Sequence, residues 1–184
     1  MDLQKIILVL INLVGGAGVI SSYVIGFSMH PNMVDRLWGK VTPMIKSAYF
    51  ISMPLAAVGY FLFTYFILFQ LETKKVIVGN AFGYEIFSVI FAAILVPSAL
   101  WMPLTFRMIE NPGVGLWWAI RIVLFIVGLA ALCLLCALLM TSTRQPAWSY
   151  WLAVAGAVLF FIQTGVMDAF VWPAYFPHQA LLSK

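Results

Sequence analysis

Five apolar runs divide this 184-residue chain: Ile6 to Phe27, Lys46 to Leu71, Ala81 to Phe106, Val114 to Met140 and Ala147 to Trp172. At about 1.5 Å per residue, a helix needs about 20 apolar residues to cross the hydrocarbon of a bilayer, and each run reaches that length. Only 9% of the residues are charged, where a soluble domain carries about 25%, so water is not the main solvent of this chain. The sequence therefore predicts an all-α integral membrane protein: one multi-pass domain over residues 1–184, folded as a compact bundle of five transmembrane helices with a long first loop. The first run follows Lys5 in the manner of a signal peptide, but it exceeds a usual apolar core and lacks a clean A-x-A site, so it reads as a span. The net charge of +4 is scattered over the connections. That pattern suits contact with anionic membrane lipids and gives no basic stripe for nucleic acid.

The spans carry local marks. In the first, Gly18, Ser22 and Gly26 recur every fourth residue, a face that lets another helix approach closely. Asn12 is its one amide and reads as helix-packing glue ahead of a ligand contact. The polar connection Ser28 to Ile45 exceeds the usual loop length of about 12–15 residues, above which loops tend to be functional or disordered. Within it, Asp35-Arg36-Leu37-Trp38 suits a short interfacial helix with Trp38 at headgroup level. Pro54 should bend the second span. In the third, Pro97 and Pro103 bracket Trp101 and predict a kinked or partly unwound end, while Glu85 sits near its start, within reach of water. Trp117 and Trp118 fall where belt residues fall.

Two charges lie well inside spans, away from their ends. Asp168, in Gln163-Thr164-Gly165-Val166-Met167-Asp168, is the carboxylate set deepest in an apolar run. A carboxylate at the centre of a bilayer costs about 2.5–3.5 kcal/mol on insertion scales, so a retained one marks a candidate site. Arg121 lies two turns, about 10 Å, into the fourth span. The fourth and fifth spans are joined by a short turn and run antiparallel, so the two charges share a depth and are expected to pair. Trp101, Pro103 and Trp172 fall at a similar level, under the loop that carries Trp38. Two readings stay open. The set Trp38, Trp101, Pro103, Arg121, Asp168 and Trp172 lines a ligand cavity beneath the first loop, or the ion pair merely locks two helices and the indoles are belt residues.

Other chemistry lacks its parts. Cys133-x-x-Cys136 resembles a redox pair, but the second pair that a membrane thiol oxidase needs is missing, so apolar packing is the expected role. His30, His178 and Asp35 share a side of the membrane without metal-site spacing, and no span offers a histidine to a haem. An acid or base role would fall to Asp168 or Glu85, with no nucleophile or second acid beside them. The sequence names neither a cofactor nor a catalytic residue. Lysine and arginine are balanced across the two sides, so orientation and compartment are not set.

The segment Trp101-Met102-Pro103-Leu104-Thr105-Phe106 ends the third span in a Trp-x-Pro-Leu-x-Phe pattern. With five spans, a long first loop and seven tryptophans, the chain resembles the tryptophan-rich sensory protein / translocator protein family. That resemblance implies a five-helix bundle that binds porphyrins or sterol-like molecules in a cavity beneath the first loop. The chain departs from the family pattern in its first loop, which offers Trp38-Gly39-Lys40-Val41-Thr42-Pro43 for Trp-x-Pro-Pro, and in Met167-Asp168 near the place of a Leu-Asn pair. The expected function is binding or transport of a tetrapyrrole, sterol or lipid-like molecule within the membrane. A structural or accessory subunit of a larger membrane complex is the other class. Its partner, or a second copy in a homodimer, would then meet the Gly18, Ser22 and Gly26 face.

Overall fold

The structure, a computed structural model, describes residues 2–178 and residue 182. Among the described residues there is no extended strand, only isolated bridges of Val78 with Phe82 and Thr141. Five helices are long and apolar enough to cross a membrane, and the chain is a multi-pass membrane protein. Helix α1 is Leu3–Met29, α2 is Pro43–Tyr65, α3 is Glu85–Glu110, α4 is Val114–Leu139 and α5 is Ala147–Phe161. A short α6, Trp172–Tyr175, ends the fifth span. The spans start and stop within a few residues of the apolar runs, since hydropathy sets them.

The irregular backbone is not where the prolines suggested. Pro54 lies inside α2, and Pro97 and Pro103 inside α3, without an unwound segment. In α3 the Ser98 hydroxyl donates to the Ile94 carbonyl at 2.6 Å and the Thr105 hydroxyl to Trp101 at 2.8 Å. These bonds satisfy the hydroxyls themselves inside the helix, while each proline removes only its own bond to the carbonyl four residues earlier, at Ala93 and Ala99. The irregularity falls instead in two π-helical stretches, Phe66–Gln70 ending the second span and Ile162–Val171 inside the fifth. Such stretches are rare, and they cluster at functional sites.

Helix α3 lies between α1 and α4, α2 packs along α5, and α4 also packs on the Ile162–Val171 stretch. Small residues allow the closest crossings. A Cβ at Gly156 would lie 2.6 Å from the Gly59 carbonyl oxygen, and one at Gly128 would lie 2.9 Å from the Gly165 Cα. The glycine face of α1 is spent inside the chain: a Cβ at Gly26 would strike Met102 and Phe106 of α3 at 2.8 Å, and Gly18 faces Ala99. That face is thus not the one left for a partner.

Two apolar cores result. One, at the end that holds the turns before α3 and α5, contains Phe63, Phe66, Phe87, Phe91, Leu138 and Tyr150. The other, under the first loop, gathers Leu37, Tyr49, Met102, Phe106, Ile120, Trp172 and Phe176. The loop itself is a 3-10 helix, Pro31–Trp38, with Leu37 buried. It is fastened to the end of the fifth span. Trp172 Nε1 donates to the Leu37 carbonyl at 2.8 Å, and Lys40 N donates to Tyr175 O at 3.0 Å. Gly39 takes φ 56° to let the loop turn there, where a Cβ would strike the Tyr175 carbonyl at 2.7 Å.

At the opposite end the Thr73 hydroxyl donates to the Asp2 carboxylate, just before α1. This hydrogen bond holds the Asp2 carboxyl below the usual carboxylate value, with smaller help from nearby Lys74 and Lys5. A depressed folded-state value means that the tether is complete above the unfolded value and is lost as pH falls through the folded one. Amide exchange in the first turn of α1 is expected to quicken as pH falls through that range, after correction for intrinsic rates. Asp2→Asn should flatten the profile, and an unchanged profile would show that the contact does not hold the helix start.

Candidate functional site: a cavity between the first two helices

Because α1 leans on α3 and α2 on α5, the space between α1 and α2 is left open as a cavity of about 840 Å³. Its walls are apolar over most of their extent. Rings come from Tyr23, Tyr60, Phe61, Trp101 and Phe160. Its floor is formed by Val123, Leu124 and Val127 of α4 and by Gln163, Thr164 and Asp168 of the π-helical stretch. At its rim stand Leu13 and Ile20 of α1 and Phe61 of α2, exposed by 64%, 67% and 71%. Such side chains face hydrocarbon in a membrane, so the cavity opens sideways into the bilayer. One hydrogen bond spans the gap, from the Tyr60 hydroxyl to Asn12 Oδ1 at 2.6 Å. Asn12 is therefore helix glue and a cavity wall at once.

The π-helical stretch sets the polar end. Its i→i+5 pattern stacks residues five apart. Gln163 Nε2 accordingly donates to Asp168 Oδ1 at 2.8 Å. The amide oxygen of Gln163 accepts from the Ser52 hydroxyl of α2 at 2.5 Å. Flanking helices support the widened backbone: the Tyr49 hydroxyl donates to Met167 O at 2.7 Å, and Arg121 Nη1 donates to Ala169 O at 2.8 Å.

These bonds correct the expected ion pair. Arg121 and Asp168 do share a depth, but no nitrogen–oxygen contact within 4.0 Å joins them. Asp168 lies on the cavity, and the carbonyl of its neighbour Ala169 lies against the guanidinium. Asp168 is then the one charged side chain among the described lining residues.

No family model, curated protein or solved structure matches the chain.

Of the six residues singled out from the sequence, Trp101 and Asp168 line the cavity. Trp172 stands directly behind Trp101, edge to face at 5.7 Å, and is buried. Trp38 packs edge-on against Tyr49 at 5.5 Å with Lys46 Nζ 5.2 Å from its ring, outside the cavity. Pro103 faces outward on α3, because it lies two residues past Trp101 on a helix that did not unwind. Arg121 supports the floor from below. The first loop contributes no wall, so the cavity lies deeper than expected. Gln163, Ser52, Tyr23 and Tyr60 were missed; Gln163 and Ser52 had a signal, as polar side chains inside apolar runs.

The remaining candidates are occupied elsewhere. His30 contacts Glu110 at 3.1 Å and stacks on Phe106, while His178 stacks on Trp117 at 4.2 Å. Trp117 is thus tied into the C-terminal aromatic cluster. Cys133 and Cys136 are unbonded and exposed on α4, facing outward rather than packed inside. Glu85 accepts the Gly83 N–H at 2.9 Å at the start of α3.

Proposed function

We propose that this protein holds an apolar or amphipathic small molecule within the membrane, for storage, sensing or transfer. The observation that supports it most is the laterally open, ring-lined cavity with a single carboxylate at one end. Binding pockets commonly take about 300–1,000 Å³ and few polar groups, and this cavity of about 840 Å³ falls in that range. The family resemblance points to tetrapyrroles and sterol-like molecules as the first classes to try. The side opening suits a molecule that dissolves in lipid before it binds.

Gly16 provides the test. It lines the cavity, and a Cβ there meets nothing within 4 Å. Gly16→Phe should grow into the empty space without disturbing the bundle. Protein purified in neutral detergent is expected to carry a bound molecule visible by native mass spectrometry, and to bind an added porphyrin or sterol. In Gly16→Phe both should fall at least about tenfold, a loss of about 1.4 kcal/mol. Equal retention by a folded variant would remove the cavity from consideration.

An accessory role in a larger assembly is the second reading. Only 6% of the most apolar window of α1 is buried, which leaves a long outer face that another chain could cover. Obligate co-purification of a second polypeptide, with an empty cavity, would favour it.

A further inference from the structure

The charge of the cavity separates one class of ligand from the rest. Asp168 is the one charged group among its described lining residues, and no described residue is its cationic partner. Its Oδ1 accepts from Gln163, and no described residue is seen to bond its Oδ2. The nearby guanidinium of Arg121 is directed at the Ala169 carbonyl and adds nothing to the lining. An acid so placed is costly to ionise in apolar surroundings unless a positive charge meets it. Around it are π-faces, with Tyr23 and Trp101 at 5.9 Å from each other and Tyr60 further along the cavity. Aromatic faces attract cations, and the attraction grows when both are removed from water.

From these features we infer that the cavity selects lipophilic cations: a protonated amine or a quaternary centre carried on an apolar body. The inference rests on the small-molecule reading above and narrows it to one charge class. The cation sits against Asp168, and its hydrocarbon part lies toward Leu13, Ile20 and Phe61, where the opening meets the bilayer. Such molecules already concentrate in membranes, so the lateral opening is their natural entrance. An anionic amphiphile of the same shape brings Asp168 no positive charge and finds no cation among the described lining residues, so it binds more weakly.

A matched pair of probes tests this. Tetraphenylphosphonium and tetraphenylborate have nearly the same size and apolar surface and opposite charge. Isothermal titration of the purified protein in neutral detergent is expected to show the cation binding at least about tenfold tighter than the anion. Asp168→Asn should bring the ratio close to one, and Gly16→Phe should weaken the cation as much as the Asp168 change does. The comparison within the wild-type protein needs no variant, so a misfolded Asp168→Asn does not spoil it. Equal affinities, or a preference for the anion, would overturn the charge assignment while leaving an uncharged ligand in the cavity. Binding of neither, together with no retained molecule in mass spectrometry, would overturn the cavity reading as well.

Discussion

Gly156→Val is expected to prevent the bundle from assembling. Gly59 and Gly156 place the backbones of α2 and α5 in direct contact. A Cβ at 156 would lie 2.6 Å from the Gly59 carbonyl oxygen and 2.9 Å from its Cα. No flexible side chain stands there to move aside, so the helices themselves must separate. Association in a bilayer gains little from hydrophobicity and depends on close packing, which small residues permit. Overpacking in a core costs about 1–3 kcal/mol even for modest additions. Separation here would also pull Ser52 from Gln163 and Tyr49 from Met167, which lie along the contact between the second and fifth spans. Gly156→Ala should lower the thermal midpoint in detergent, and Gly156→Val should abolish the cooperative transition. Gly115→Ala, whose Cβ meets nothing within 4 Å, is the control and should stay within about 0.5 kcal/mol of the parent. A Gly156→Val protein that melts like the parent would disprove this crossing.

The second large effect is expected at Trp172, which holds the loop end together. Its ring lies 5.7 Å from Trp101, 6.4 Å from Trp117 and 4.6 Å from Phe176, and its indole N–H binds the Leu37 carbonyl. Truncating a buried tryptophan to alanine costs about 3–5 kcal/mol. Trp172→Ala should therefore lower stability by about that amount and free the 3-10 helix Pro31–Trp38, seen as faster hydrogen exchange there. Trp172→Phe keeps most of the ring contact and loses the hydrogen bond, for about 1 kcal/mol. The Phe variant should still quicken exchange at Leu37. Unaltered protection of residues 31–38 in both variants would show that the loop is held by something else.

Sequence reading and structure agree on some particulars and part on others for physical reasons. Depth could be read from residue counting, because a helix rises evenly: Arg121, Asp168, Trp101 and Trp172 do stand near one level. Azimuth could not. Counting along the chain fixes no direction around the helix axis, and the stretch Ile162–Val171 is π-helical. In the structure Asp168 lies on the cavity and Arg121 bonds the Ala169 carbonyl. The prolines of α3 did not unwind its end, since each removes one backbone bond and the helix runs on through both. The polar stretch Gln163-Thr164-Gly165 was the available sign of irregular backbone, and Tyr49 and Arg121 were the supports it would need.

What the amino-acid order determined alone is the solvent and the count: a chain so apolar, broken at these places, must cross a bilayer five times as helices. Backbone hydrogen bonding within each segment suffices for that, and no tertiary contact enters. Which faces meet was decided only by packing. Contacts between glycines far apart in sequence, at Gly59 with Gly156 and Gly128 with Gly165, bring α2 to α5 and α4 to the widened turn, and so leave α1 and α2 apart with an acid between them. Those are long-range choices among similar apolar surfaces, and hydropathy, which is nearly the same on every face, does not distinguish them.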